Sequence, residues 1–323
     1  MVQTKRAVEF FKKNWVVLVP YIVLILLTVA MANINPRTLS GRFLANKSDA
    51  AFSLILAAVG QTFVLLSGGF DLSVGGVICV TNSLLAVNMG NAPGGIILWS
   101  FICLLIGAGI GVFNGFVIVK ANMQPFIATL ATQSACYGAA LLILKVDGGN
   151  IAPSFMGVVM YRLAGVPVSA LLTVLLILLW LYVKRTSFGL SLYAVGSSEK
   201  AAHLNGVNVF RTKVIAYGLS GLFAAFAGIY RTAHVASGSP TAGSAFVMTS
   251  IAGAVIGGTA ITGGIGGIVG SIAGAYILRG IADLLVFLQV SSYWTSLVQG
   301  VLLVAAVALT SYAKLRRSSE VAQ

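Results

Sequence analysis

The residue with the clearest capacity for chemistry is Asp71, in the run Gly68-Gly69-Phe70-Asp71-Leu72-Ser73-Val74-Gly75-Gly76. A carboxylate at the margin of an apolar run is costly unless it is paired, capping a helix or wet. Aspartate is a good N-cap, because its oxygen accepts orphan amide hydrogens at a helix start. Two roles follow: a cap that anchors a turn, or a contact on a translocation path or gate. A second acid, Asp283, stands four residues after Arg279. That spacing puts both on one helix face, where they neutralise each other.

Asn114, Gln124, Thr129, Thr132, Gln133, Ser134 and Tyr137 are polar positions in or beside apolar stretches. Such side chains tie helices together in a bundle, or line a wet path for a hydroxylated solute. His203 and His234 are isolated, without a second ligand at metal spacing, so no metal site is expected. Cys79, Cys103 and Cys136 lie inside apolar segments and read as small buried hydrophobes. No GxxxxGK[ST] phosphate loop is present, so the chain is not expected to hydrolyse ATP itself. No Ser/His/acid set stands out, and the chain reads as a non-enzyme.

The elements that hold these residues follow from composition. Of 323 residues, 58% are hydrophobic and 8% charged, and mean hydropathy is +0.99. A soluble domain carries about 25% charged residues, so bilayer is the solvent this surface fits. The 37 glycines suit close helix approach in lipid. The net charge of +13 does not point to nucleic acid. The basic residues sit at the ends of apolar spans, as the positive-inside rule and anionic lipid require.

A membrane helix needs about 20 apolar residues. Spans are expected at Trp15–Ile34, Ala50–Leu66, Leu72–Met89, Gly95–Val119, Pro125–Leu144, Val166–Val183, Val214–Tyr230, Phe246–Ile261, Ile265–Leu288 and Tyr293–Thr310. The sequence thus predicts an all-α polytopic helix bundle of about ten spans, forming one transmembrane domain over residues 1–323. The third and eighth spans are rich in Gly, Ser and Thr and read as broken or re-entrant. Lys5, Arg6, Lys12 and Lys13 precede a first run too long for a signal-peptide core, so an uncleaved first helix is expected.

Lysine and arginine set the orientation. With both termini inside, the inner set is Lys5, Arg6, Lys12, Lys13, Lys120, Lys184, Arg185, Lys200, Arg211, Lys213, Lys314, Arg316 and Arg317. The outer set is Arg37, Arg42, Lys47, Lys145, Arg162 and Arg231. A loop holding Arg37, Arg42 and Lys47 runs against this bias, offset in part by Asp49. Two glycine-rich breaks, Ser67–Gly76 and Gly257–Gly267, fall in corresponding places in two halves and suggest an inverted repeat around a central pathway.

The polar, basic stretch from Lys184 to Lys213 interrupts the apolar pattern. At its centre Glu199–Gly206 reads as a short helix closed by glycine. In a membrane protein without a nucleotide site, that is a docking surface for an outside motor. His234, with Ser237, Ser239 and Thr241, reads as an outer loop.

The motifs together resemble the ribose-type ABC sugar permeases. SGGFDLSVGG resembles their (S/T)GG-x-DLSVG signature. Asn114-Gly115 and Pro125–Leu130 resemble their N-G and P-x-F-I-x-T-L stretches. Thr186–Gly189, Ala194–Gly196 and Glu199–Gly206 resemble their T-x-F-G, A-x-G and E-x-A-A-x-x-x-G elements. Val255–Gly258 and Gly263–Gly266 resemble a late glycine motif. The match runs from about Ala50 to Leu309, in order. Lys200 stands where an acidic residue is common, and Phe70 where isoleucine is usual. Ser291-Ser292-Tyr293-Trp294 resembles pentose- or furanose-type members. The related amino-acid permeases lack the DLSVG stretch.

This resemblance implies the permease subunit of an ATP-driven, binding-protein-dependent monosaccharide importer in the bacterial inner membrane. It implies pairing with a second, identical or paralogous, permease, a cytoplasmic ATPase that carries the ATP, and a periplasmic sugar-binding protein. No cofactor is implied on this subunit. Glu199, Ala201, Ala202 and Gly206 would form the ATPase-coupling element. Asp71, Ser73, Asn114, Phe126, Thr129 and Gln133 are the candidate pathway or gate residues. The rival readings are an ion-coupled secondary transporter, with Asp71 or Asp283 as its coupling acid, and a passive channel.

Overall fold

The computed structural model describes residues 19–291, together with 294, 297–301, 304, 305 and 308. Helix α1 (Val19–Ile34) is followed by a 3-10 turn at Pro36–Leu39 and by α2 (Gly41–Leu66), α3 (Ser73–Asn88), α4 (Pro93–Lys120) and α5 (Pro125–Ile143). A short α6 (Pro153–Val159) and a two-residue hairpin, β1 (Arg162–Leu163) against β2 (Val166–Pro167), lead into α7 (Val168–Val183). Then come α8 (Ser187–Ser197), α9 (Glu199–Leu204), α10 (Val209–Val235), α11 (Phe246–Ile256) and α12 (Ile268–Phe287). The chain is an all-α helix bundle, as its hydropathy requires.

Among the described residues five helices are long and apolar enough to cross a membrane: α2, α4, α5, α10 and α12. The pair α7 and α8, bent by 79°, makes a sixth if taken as one span, and α1, α3 and α11 are shorter apolar helices. These account for nine of the ten expected segments. Half of the tenth, Tyr293–Thr310, lies outside the described residues, and its described residues are helical; Trp15, Ser292, the basic residues up to Lys13 and those from Lys314 onward also lie outside them.

Helix starts follow local chemistry. Ser40, Thr186, Ser198 and Asn208 each offer a side-chain oxygen to a backbone N–H of the first turn of α2, α8, α9 and α10, satisfying one orphan donor. Pro93 and Pro125 open α4 and α5, where a missing N–H costs nothing.

Helix α2 is the axis of the bundle, buried from Ala51 to Leu66 except at half-buried Leu54. Phe63 stacks on Phe223 (6.1 Å between centroids) and meets Trp180 edge-on (5.7 Å). On α4, Gly107, Gly111 and Gly115 face α10 so closely that a methyl group on any of them would overlap Gly221, Tyr217 or Val214. Small residues at four-residue spacing let two helices meet through their backbones. The other face of α4 is purely apolar, exposing Ile97, Leu98, Phe101, Leu105, Phe113 and Phe116.

Four expectations are corrected. Arg42 and Lys47 do not lie in a loop: α2 starts at Gly41 and contains both. Polar partners from distant helices hold that end of α2 helical. Asp49 accepts hydrogen bonds from Ser169 (2.6 Å) and Tyr230 (3.2 Å) and lies 3.9 Å from Arg162. Buried Lys47 sits 3.9 Å from the Met31 sulfur. The stretch from 184 to 213 holds a second helix, α8, whose Gly189, Leu192 and Val195 are buried. The eighth span ends at Ile256, leaving 257–267 non-helical. His234 is in the last turn of α10, stacked on Tyr230, and not in a loop.

The two glycine-rich breaks meet. The N–H of Gly264 donates to the Leu66 carbonyl at 3.1 Å, and the backbones of Gly68, Gly196 and Gly263 pack together at the same point. Gly68 and Gly263 have φ of +78° and +85°, the left-handed region where glycine alone is unstrained. Tyr193 on α8 donates to the Gly266 carbonyl at 2.7 Å. The helix carrying α9 is thereby joined to both breaks.

Candidate functional site

Asp71 is fully buried and fully engaged. Oδ1 accepts from the Ser73 N–H (2.9 Å) and hydroxyl (2.5 Å), and Oδ2 accepts from the Ser220 hydroxyl (2.7 Å). Its backbone is held by the Gln61 amide, whose nitrogen donates to the Asp71 carbonyl (2.9 Å) and whose oxygen accepts from the Asp71 N–H (3.3 Å). The chain of bonds continues outward. Asn114 donates to the Ser73 hydroxyl at 2.9 Å, and Thr132 donates to Asn114 at 2.6 Å. Tyr217 donates to the Phe70 carbonyl at 3.1 Å. The carboxylate itself ties the 67–72 segment to α3 and α10, and the Gln61 amide and the Asn114–Thr132 chain extend the network to α2, α4 and α5. Burial of an unpaired carboxylate is prohibitive, and charge-assisted bonds from hydroxyl and amide donors offset that cost.

Of the candidate pathway residues, Asp71, Ser73, Asn114 and Thr129 are buried. Thr129 donates to the Pro125 carbonyl in its own helix at 2.8 Å. Phe126 is exposed and Gln133 half-buried, both on α5. Gln61, Ser220 and Tyr217 were not singled out by sequence. Gln61, a lone amide inside an apolar span, is the kind of signal that could have found the first.

A second polar locality lies on the exposed side of α5. The segment 236–245, between α10 and α11, folds back along α3. Gly238 pairs with Gly148, the Ser239 N–H donates to Asn82 (2.6 Å), and the Gly243 N–H donates to the Cys79 sulfur (3.2 Å). Its contacts run from Ala86 to Gly75, about 16 Å of α3 at 1.5 Å rise per residue. Between this segment, α3 and α5 opens a cleft of about 240 Å³ lined by Gly75, Gly76, Cys79, Gln133, Tyr137, Thr241 and Ser244. None of these carries a charge at neutral pH.

The coupling candidates stand at the end of the bundle where the glycine breaks meet. Ser198 caps α9, and Gly206, at φ +79°, ends it. The Val207 N–H returns to the Ala202 carbonyl at 3.0 Å, the closing bond of a glycine-stopped helix. Ala202 is buried and Ala201 exposed. Glu199 forms an ion pair with the mostly buried Lys213 of α10. Leu204 projects with 78% of its surface exposed. Arg279 and Asp283 pair on α12 at 2.9 Å, next to Lys47. Among the described residues no three His, Cys, Asp or Glu side chains gather as a metal site.

Residues 43–307 match the family model described as the permease component of the branched-chain amino acid transport system. The ribose import permease protein of Bacillus subtilis is 37% identical to the chain, covering 90% of it and 91% of that protein. The ribose import permease protein of Escherichia coli K12 is 32% identical, covering 94% and 97%. The galactose/methyl galactoside import permease protein of the same strain is 31% identical, covering 90% and 93%. No solved structure matches the chain.

Proposed function

The chain belongs to the family of permease components typified by the branched-chain amino acid transport system, and on that premise we propose that it is the membrane-spanning subunit of an ATP-driven monosaccharide importer. It is a multi-pass protein of the bacterial inner membrane. Sugar is favoured over amino acid because the relatives named for ribose and galactose each cover nine-tenths or more of the chain.

The observation that carries ATP drive is α9. This six-residue helix buries only Ala202 and leaves Leu204 at its tip exposed. It suits a cleft in a cytoplasmic ATPase, with Glu199, Ala201, Ala202 and Gly206 as the coupling element. ATP hydrolysis then belongs to that partner, and this subunit carries no cofactor. A periplasmic sugar-binding protein would meet the opposite end, where the β1–β2 hairpin lies. The N-in, C-in orientation puts α9 in the cytoplasm.

Two exposed faces differ in kind. Helices α4 and α7 expose aliphatic and aromatic side chains that suit lipid. The face of α5 and 236–249 exposes Ser134, Thr241 and Ser244 among its apolar residues. A second permease subunit, identical or paralogous, pairing across that face would enclose the path between the two. Phe126 and Gln133 are on that side. Asp71, Ser73, Asn114 and Thr129 act behind it, as a latch holding the helices that line the path. Asp71 has no exposed surface, so the ion-coupled alternative, which needs an acid that meets water from both sides in turn, draws no support from it.

The test is uptake by proteoliposomes holding the permease with its ATPase and binding protein. ATP-dependent accumulation of ribose or galactose with ion gradients collapsed is the expected result. Accumulation driven by an ion gradient without ATP would overturn the proposal.

A further inference from the structure

Polar groups on α5 fall into two sets. Thr129 and Ser134 each donate to a carbonyl one turn back in their own helix, at 2.8 and 3.1 Å, and Thr132 donates to Asn114 at 2.6 Å. Such bonds make a hydroxyl tolerable beside apolar surroundings. Gln133 and Tyr137 make no side-chain hydrogen bond within the described protein, and both line the cleft beside α3. An amide and a phenol left unpaired in hydrocarbon would each cost several kcal/mol on the order of the cyclohexane scale, so this cleft holds water or a solute.

The other wall leads to the same conclusion. Segment 236–245 is non-helical and runs about 16 Å along α3, close to half of the roughly 30 Å hydrocarbon core. Irregular backbone at membrane depth is tolerated only where protein buries it or it lines a water-filled cavity. Here one side is pinned to Asn82, Cys79 and Gly148, and the other presents exposed Thr241 and Ser244 to the cleft.

We infer that this cleft is a contact station for the transported solute, that it takes a neutral polyhydroxylated ring, and that Gln133 and Tyr137 are specificity-determining residues. The inference rests on the import reading above and deepens it. Gln133 and Tyr137 are four residues apart, so both present to one helical face. Together they offer an amide donor, an amide acceptor and a phenol, and the facing segment adds the Thr241 and Ser244 hydroxyls. Every one of these groups can serve a sugar hydroxyl. None is a formal charge that would meet the ammonium and carboxylate of an amino acid. A volume of about 240 Å³ lies just below the drug-sized range of about 300–1,000 Å³ and suits one monosaccharide ring.

The experiment uses the complete transporter in proteoliposomes, with ribose and galactose as separate probes. Gln133→Leu and Tyr137→Phe remove the unpaired groups with little change of volume. Thr28→Ala on α1, whose hydroxyl donates to the Leu24 carbonyl within its own helix at 2.8 Å, is the control. Uptake and binding-protein-stimulated ATP hydrolysis are measured together. For the two cleft variants we expect uptake to fall roughly threefold to tenfold, the worth of one hydrogen bond, with the ribose-to-galactose ratio altered and ATP hydrolysis retained. Thr28→Ala should match the wild type. Wild-type uptake and ratio in both cleft variants would overturn the inference while leaving the import reading intact. So would parallel loss of uptake and hydrolysis in both, which would make them structural or coupling residues. A wild-type transporter that concentrates neither sugar would remove the import reading, and the inference with it.

Discussion

Ser220 on α10 donates to Oδ2 of Asp71 at 2.7 Å, across 149 positions of chain. This bond, with the two from Ser73 to Oδ1, engages both carboxylate oxygens. The segment before α3 is thus fastened to α10, distant in sequence, and the role of Asp71 is testable by separating its charge from its bonds.

Asp71→Ala removes the acceptor for three donors in one step. Each buried polar group left unpaired costs about 1–3 kcal/mol, so we expect a loss of about 3 kcal/mol and a clear fall in the thermal unfolding midpoint in detergent. Asp71→Asn keeps shape but turns one acceptor into a donor that faces donors, and should also lower the midpoint. If Asp71 instead acted as a path or coupling acid alone, Asp71→Asn would unfold at the wild-type temperature and change only uptake.

The α4–α10 interface makes a paired prediction. A Cβ on Gly111 would collide with the Tyr217 carbonyl, whereas a Cβ on Gly109, two residues away, meets nothing within 4 Å. Gly111→Ala must push the helices apart, and overpacking of this kind costs about 1–3 kcal/mol. Gly109→Ala should be neutral or stabilise by up to about 1 kcal/mol, since alanine is the better helix former. Unfolding midpoints of the two single variants check the contrast; equal effects would count against the interface.

Much of this architecture is legible in the sequence, because a membrane helix announces itself by length and hydropathy. Nine segments fall where the apolar runs place them, and both glycine-rich breaks are real interruptions. What hydropathy misses is polarity satisfied from afar. Lys47 and Asp49 look like loop residues because nothing local shows that Ser169 and Tyr230 reach Asp49 from α7 and α10. Helix α8 hides within a basic stretch because only three of its residues face the core. Thr132 and Gln133 are equally polar neighbours on paper. Packing alone decides that one bonds Asn114 and the other lines a cleft. The meeting of Ser67–Gly76 with Gly257–Gly267 joins positions nearly 200 apart, and no local pattern encodes it.

Helix α9 should be forgiving in stability and strict in function. The Glu199 side chain is half exposed, but its partner Lys213 is mostly buried. Glu199→Gln keeps an oxygen acceptor for Lys213 while removing the opposing charge, so a modest fall in the unfolding midpoint is expected. Gly206→Ala puts a Cβ on a φ of +79°, a left-handed position costing alanine about 1 kcal/mol. It should move the end of α9 without disturbing the bundle. Both variants should weaken stimulation of ATP hydrolysis by the loaded binding protein. Normal stimulation in both would remove α9 from the coupling path.

The last prediction concerns how motion at α9 reaches the bundle. Gly196, near the end of α8 and three residues before α9, lies against the Leu66 carbonyl and the Gly264 N–H, the two groups whose hydrogen bond joins the glycine breaks. A methyl at 196 would sit where that bond runs. Gly196→Ala must either move α8 away or part Leu66 from Gly264, and both outcomes uncouple α8 from the segments next to Asp71. Nothing in this change touches α9 itself, so the ATPase should still bind. The expected signature is copurification of the ATPase at wild-type stoichiometry, ATP hydrolysis retained, and sugar uptake per ATP hydrolysed falling by roughly tenfold, the factor that about 1.4 kcal/mol represents. Gly138, whose added Cβ meets nothing within 4 Å, supplies the control as Gly138→Ala. Uptake per ATP equal in the two variants would show that force from α9 bypasses the glycine junction.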